Sequence, residues 1–446
     1  MYTKEKLDTK ENIKKKILMF PMIMAQLYLI GVIVLYQLGP WEWPTRNALL
    51  FYLLIFFYQL FFGLGYLIAI KKNISIRKIE KKNIYNFLSI MIVINLIFVI
   101  FNFMHTVGIS SFSVDKILDS FINGIQNPSS QYQMKFNVEK FGGSYFTYFS
   151  VLAAPIMWPV FPLSFFYFKE LNSKKKLIVA ISLFFEVARW VATGTSKGII
   201  DLMVILLVVT VAKYMRKRIS DDSKKIINYK KYRFGIIMFT ILIIGVLFFS
   251  NNVGDRVNQN WSDYSTTNGN VPINQDSFLM KITPDNFKPT LIYLTSYLTQ
   301  GYYAFSMSLD LNFQPMFGIG NSMFLIENIN ELFGLDLYEQ TYQSRMSAFG
   351  WDPYVNWHSF YVWVANDVHF IGVTIIMFLL GYLLGITYKS VLLNNDSVAL
   401  VLLSLTTLII IYIPANNQVL SYPTTFLTFW ILLIYWNLRK KYKFVF

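Results

Sequence analysis

An all-α integral membrane protein with about ten transmembrane helices is the fold class this sequence predicts. Hydrophobic residues make up 55% of the 446 and aromatics 18%, with a mean hydropathy of +0.44, well outside the range of a soluble chain. Apolar runs of roughly 20 residues, the length a helix needs to cross hydrocarbon, recur along the chain, and the alternating period of a membrane barrel is absent. The Lys and Arg fall mostly in connectors on one side of those runs. Anionic lipid headgroups, rather than nucleic acid, are therefore the counter-charge for a net charge of +15.

Met1–Lys16 is polar and basic and leads into Ile17–Leu38. That run is too long for a signal-peptide core and lacks a small-residue cleavage site, so it reads as a retained signal-anchor helix. Further runs follow at Ala48–Ile70, Phe87–Met104, Tyr145–Phe168, Leu177–Thr193, Gly198–Ala212 and Phe234–Ser250. Ile371–Tyr388, Val398–Ile413 and Leu420–Leu438 complete the ten. In the fourth, Pro155, Pro159 and Pro162 predict a kinked or broken helix, tolerated where neighbours satisfy the freed carbonyls. No internal repeat or soluble-domain boundary appears, and the chain reads as one domain, 1–446.

Ten spans put both termini on the same side. On that division 30 of the 40 Lys and Arg lie on the side of the termini and eight on the other, and the positive excess marks the cytoplasm. Both termini are expected to be cytoplasmic. Asn251–Phe370 then forms a large extracytoplasmic loop domain, about 251–370, with a second loop, about 105–144, able to cover it.

The absence of Cys excludes disulfides, thiolate catalysis and Cys-ligated metals. Three His without HExxH-type spacing give no metal site, and no cofactor is expected. Ionisable groups within spans are costly and face a cavity or a partner. Glu186 and Arg189, three apart, share a helix face, and Lys197 and Asp201 are four apart at the start of the next span. The connector Thr193-Gly-Thr-Ser-Lys-Gly198 opens that helix with free N–H groups, hydroxyls and a Lys, an arrangement that attracts phosphate, although Walker spacing is missing. Two readings stand side by side: Arg189 and Lys197 hold an anion with Glu186 and Asp201 supporting them, or two ion pairs orient the fifth and sixth spans.

The large loop carries Arg256, Lys281, Lys288 and Arg345, and its arginines can grip phosphate with two-pronged hydrogen bonds. Near its end His358 is a candidate base, because His moves its proton near neutral pH. Asp367 lies nine residues on, the opposite face of a continuous helix. Trp357, Tyr361 and Trp363 suit an interfacial belt or a sugar-stacking surface.

Three blocks in order carry a resemblance. They are Thr193–Gly198 before an apolar span; Tyr297-Leu-Thr-Gln-Gly-Tyr-Tyr-Ala-Phe305 followed by Phe317-Gly-Ile-Gly-Asn-Ser-Met-Phe324; and Asp367-Val-His-Phe-Ile-Gly372 opening an apolar helix. With the topology, they resemble the bacterial oligosaccharide repeat-unit polymerases, the Wzy-type O-antigen and capsule polymerases, over roughly Thr193–Tyr388. The resemblance implies a GT-C-type membrane glycosyltransferase at the outer face of the bacterial plasma (inner) membrane. Such an enzyme moves a growing glycan from undecaprenyl pyrophosphate onto a new lipid-linked repeat unit, inverting the anomeric carbon in one displacement. No DxD motif occurs, which fits a metal-independent lipid donor. Undecaprenyl-pyrophosphate-linked glycans, the lipid bilayer, a chain-length regulator and a flippase are the implied partners, with no nucleic acid. Arg189, Lys197, Arg256 and Arg345 would form the pyrophosphate clamp, with His358 the leading base and Asp367 the other catalytic candidate. The family usually has Arg where this chain has Lys197, and Gly where it has His369.

Two other functions share these features. An O-antigen ligase would use the same donor with a lipid-A-core acceptor. A transporter or flippase of lipid-linked oligosaccharide would explain the charges in the spans, but it predicts symmetric half-repeats and short loops. The topology itself is directly testable in this Cys-free chain. Asp263→Cys is expected to react with a membrane-impermeant maleimide in intact cells, and labelling only after permeabilisation would put the loop in the cytoplasm.

Overall fold

A computed structural model describes residues 2–73, 81–109, 112–133, 145–220, 240, 243, 245–254 and 271–441. Among them the secondary structure is helical, apart from one isolated bridge between Trp41 and Ile273. The principal helices, in chain order, are α1 (Tyr2–Leu38), α2 (Ala48–Lys71), α3 (Lys81–Val107), α4 (Val114–Gln126), α5 (Tyr145–Met157), α6 (Val160–Phe166), α7 (Ser173–Ala192) and α8 (Lys197–Ser220). Then come α9 (Phe278–Ile282), α10 (Lys288–Ser308), α11 (Met323–Phe333), α12 (Tyr342–Arg345), α13 (Phe360–Asn394), α14 (Ser397–Tyr412) and α15 (Pro423–Lys441).

Each of the ten expected runs coincides with a helix except Phe234–Ser250, most of which lies outside the described residues. Six stretches among the described residues are long and apolar enough to cross a membrane: Glu11–Leu38, Ala48–Lys71, Lys82–Val107, Tyr145–Phe166, Lys197–Ile219 and Phe360–Asn394. The remainder fall short for physical reasons. α14 has only 16 residues; α7 opens on three lysines and carries Glu186 and Arg189; α15 ends in Arg439-Lys440-Lys441. The proline-rich fourth run divides as its sequence predicts, with Pro159 closing the gap between α5 and α6.

The chain forms two compact units. One comprises Met1–Ile76, Asn260–Asn395 and Leu405–Phe429; the other comprises Arg77–Gln259, Asp396–Ser404 and Trp430–Phe446.

In the first unit α13 lies against α2 at backbone distance. A Cβ at Gly381 would collide with the Phe62 carbonyl, and one at Gly65 with the Phe378 carbonyl. Close approach of this kind is how helices associate in lipid, where apolar burial between them gives little drive. Side chains then satisfy main-chain carbonyls: Tyr66 Oη donates to Leu18 O at 2.5 Å, and Lys389 Nζ to Ile70 O and Lys72 O at 2.6 and 2.8 Å, capping the end of α2. The large loop is organised round α10, which is buried along most of its length although Thr295, Ser296, Thr299, Gln300, Ser306 and Ser308 lie on it. The indoles of Trp41 and Trp43 donate to the Thr295 and Thr299 hydroxyls at 3.1 and 3.0 Å. Tyr302 and Phe305 pack among Tyr36, Phe51 and Tyr58. The stretch is therefore built on a buried helix rather than folded as a polar layer.

In the second unit Val99, Phe103, Ile117, Phe161, Phe185 and Ala188 make an apolar core. Asn172 starts α7 by accepting from the Lys175 N–H at 2.9 Å. Asp396 starts α14, accepting from the Val398 and Ala399 N–H groups at 3.1 and 3.3 Å. Its other oxygen accepts from Trp436 Nε1 at 2.7 Å and Arg439 Nη2 at 2.6 Å. The Asp396 and Arg439 side chains are 1% and 5% exposed. Removing one member of a buried pair strands the other charge and typically destabilises by about 3–5 kcal/mol. Asp396→Ala is expected to lower thermal stability in detergent by that amount, and adding Arg439→Met to restore much of it. A loss of only about 0–1 kcal/mol, as for a surface pair, would contradict this.

Candidate functional site

α13 is two helices end to end. His369 has φ 59° and ψ 162°, a region open to Gly and strained for other residues. The break frees the Asn366 carbonyl, which accepts from the Met316 N–H at 3.0 Å. Just past it, Tyr58 Oη donates to Phe370 O at 2.6 Å.

The two residues before the break gather the loop. Asn366, 1% exposed, donates through Nδ2 to Gly320 O and to Gln343 Oε1, both at 2.9 Å, and accepts at Oδ1 from the Tyr342 N–H at 2.9 Å. Asp367 Oδ1 accepts from the Gly318 and Gly320 N–H groups at 2.8 Å each. Its Oδ2 accepts from the Asn321 N–H at 2.9 Å and from Asn321 Nδ2 at 2.7 Å. Four donors thus occupy the carboxylate. Asn417 Nδ2 extends the network by donating to Asn321 O. The turn so held carries Phe317 at φ 51°, a left-handed conformation that strains a bulky side chain by about 1–3 kcal/mol.

Beyond the turn, Thr341 starts α12 by accepting from the Ser344 N–H at 3.1 Å. This segment forms one wall of a cleft of about 470 Å³ lined by Asp336, Tyr338, Glu339, Ser344, Ser347, Gly350, Asp352, Pro353 and Tyr354. The Tyr338 and Tyr354 rings lie 5.9 Å apart. Burial, with Tyr354 and Asp352 adding to it, pushes the Tyr338 phenol up, so it remains a neutral donor. Among the described residues no three His, Asp or Glu converge closely enough to share a metal ion.

Arg345 sits next to Ser344. Its Nη1 donates to Asn312 O at 2.8 Å and its Nε to Thr341 O at 3.3 Å, and the guanidinium lies 4.9 Å from the Tyr342 ring centre. Nη2 is buried without a hydrogen-bond partner. Burial lowers the Arg345 pKa, Tyr342 opposing the shift; burial also pushes Tyr342 up to about 12 against the pull of Arg345.

The other expected site residues lie elsewhere. His358 precedes α13 and is 3% exposed, its Nε2 without a partner. Burial pushes it down to about 3, leaving a neutral imidazole of little basicity. It is walled in where the chain crosses α10: Trp357 N–H donates to Gln300 Oε1 at 3.2 Å, and a Cβ at Gly301 would overlap Pro414 O and crowd Ser359 N. No hydrogen bond joins His358 to Asp367. Arg189 and Lys197 belong to the other unit. Arg189 pairs with Glu186 at 2.5 Å and Lys197 with Asp201 at 2.8 Å. The Trp190 indole donates to Glu186 and lies 4.3 Å from the Arg189 guanidinium and 5.9 Å from Lys197 Nζ. Lys281 and Lys288 pair with Asp276 and Asp285, while Arg256 lies outside the described residues.

Sequence reasoning missed Asn366 and the carboxylates of the cleft. The one available signal was the acidic, Tyr-bearing stretch Glu331–Tyr354 within an otherwise basic protein. By its apolar helices this is a multi-pass membrane protein of the all-α class. No family model, curated protein or solved structure matches the chain.

The strain at residue 369 can be measured. His369→Gly relieves about 1–3 kcal/mol of backbone strain and forfeits about 0.5–1 kcal/mol to the greater freedom of unfolded Gly. The variant is expected to unfold at a higher temperature, by a net gain of about 1 kcal/mol. A lower one would mean that the His369 ring contacts with Phe313 and Phe370 outweigh the strain.

Proposed function

We propose that this protein is a membrane glycosyltransferase that lengthens a polyprenyl-pyrophosphate-linked glycan, a repeat-unit polymerase at the outer face of a bacterial plasma membrane. The supporting observation is the cleft with three carboxylates and two tyrosines, one of whose lining residues, Ser344, is the chain neighbour of Arg345, an arginine with a buried, unpartnered nitrogen. Carboxylates and phenols suit sugar hydroxyls and ring faces. The unpartnered arm of Arg345 can take a phosphate oxygen once it is uncovered.

In the proposed reaction an acceptor sugar hydroxyl attacks the anomeric carbon of the donor glycan. The new C–O bond forms as the anomeric C–O bond to pyrophosphate breaks, and the hydroxyl proton passes to a carboxylate. Asp352 or Glu339, on the cleft wall, takes that role in place of the buried His358. Arg345 offsets the charge growing on the departing pyrophosphate, and Arg256 keeps its role as a further cation of the clamp. Arg189 and Lys197 already carry counter-ions and serve the packing of α7 and α8. Asp367 is a positioning residue.

The test is the full-length protein in lipid nanodiscs with a purified lipid-linked repeat unit, read as a ladder of longer glycans. Arg345→Ala is expected to slow elongation about 10²–10³-fold. Arg345→Lys should remain slow, because Lys keeps the charge without the fork. A single transfer to a different lipid acceptor would favour a ligase, and movement without a new bond a flippase. A folded Arg345→Ala variant with a normal ladder would remove Arg345 from the mechanism.

A further inference from the structure

Phe317 is 86% exposed in a turn that is firmly fixed. Asp367 holds the turn by the N–H groups of Gly318, Gly320 and Asn321, and Asn321 Nδ2 closes it by donating to Gly318 O at 3.0 Å. Met316, 4% exposed, anchors the preceding position against Ile326 and Trp363. The chain therefore presents an apolar ring outward on a rigid, left-handed support. A mobile surface loop would have no need of such a support.

The place of this turn on α13 identifies what meets the ring. Residues 360–366 are buried within the protein. Past the break, Ile371, Ile375 and Leu379 are 71%, 63% and 52% exposed, one apolar stripe at a helical spacing of four. That stripe belongs to a membrane-crossing stretch. From Phe370 to Asn394 the helix is roughly 37 Å long at about 1.5 Å per residue, more than the ~30 Å of bilayer hydrocarbon. From its start at the break, this helix is therefore long enough to span the bilayer by itself. Asp367, which holds the turn, is next to Val368, and Val368 packs against Gly372 across the break. Phe313, at the start of the turn, stacks edge-on against His369 at 5.2 Å.

We propose that Phe317 is a membrane finger: its ring enters the acyl-chain region of the bilayer beside Ile371 and extends the lipid-facing stripe of α13 upward. Through Asp367 and Asn366 the finger sets the height of the turn, and of the segment carrying Ser344 and Arg345, above the membrane.

The Cys-free chain makes the test clean. Phe317→Cys and Tyr354→Cys are each labelled with the environment-sensitive fluorophore NBD and reconstituted, full length, in phosphatidylcholine vesicles. NBD at 317 is expected to emit at shorter wavelength than at 354 and to be quenched several-fold more by doxyl-labelled lipids than by aqueous iodide. Equal emission and equal iodide quenching at the two positions would overturn the proposal. Should the 317 variant fold poorly, the unmodified protein is irradiated with a lipid bearing a diazirine in its acyl chain and mapped by mass spectrometry. Adducts at both Phe317 and Ile371 are expected; adducts at Ile371 with none at Phe317 would equally overturn it.

Discussion

The described part of the large loop depends on two adjacent side chains, Asn366 and Asp367, where α13 breaks. A buried amide that lacks partners is destabilising by about 1–3 kcal/mol. Asn366 avoids this by bonding Gly320 and Gln343 as donor and the Tyr342 N–H as acceptor. A carboxylate needs more compensation, and the four donors on Asp367 supply it as charge-assisted bonds. The two residues thereby fix segments about 25 and 50 positions away in the chain. Met316, Phe317, Tyr342 and Arg345 all take their positions from this point. The strain at His369 and Phe317 persists because the network around them is so heavily determined.

Charge is handled differently in different parts of the molecule. Where charges enter helix packing they are matched: Asp396 with Arg439, Glu186 with Arg189, Lys197 with Asp201. Trp190 lies close to both cations of the last two pairs, a geometry that favours tight packing of α7 on α8. In the 336–354 segment the pattern reverses. Three carboxylates line a cleft in a protein of net charge +15, and Arg345 keeps one arm without a partner. Unlike the paired charges of α7 and α8, those of this segment are not neutralised by an opposite charge in contact among the described residues.

Much of the frame was legible in the sequence because its causes are local. A run of apolar residues long enough to cross hydrocarbon forms a helix wherever it occurs, as at Ala48–Ile70. Pro159 sits at the break in the fourth run, because a ring without an N–H cannot continue the hydrogen-bond ladder, while Pro155 is accommodated inside α5. The short connector 193–196 forces α7 and α8 to be neighbours, and Glu186/Arg189 and Lys197/Asp201 pair at the spacings that predict it.

What each polar side chain does was decided only by the tertiary structure. In sequence, His358 and Asp367 both read as catalytic candidates; folding buries the first and surrounds the second with donors. The polar face of α10 is buried because Trp41 and Trp43, some 250 positions earlier, deliver indole donors to it. Arg345 and Arg189 look equivalent as letters, yet one has a carboxylate in contact and the other does not. The physical reason is range. Helix length, caps and breaks depend on neighbours within a turn or two, whereas solvation, pKa and hydrogen-bond saturation depend on residues that only the complete fold brings within about 3 Å.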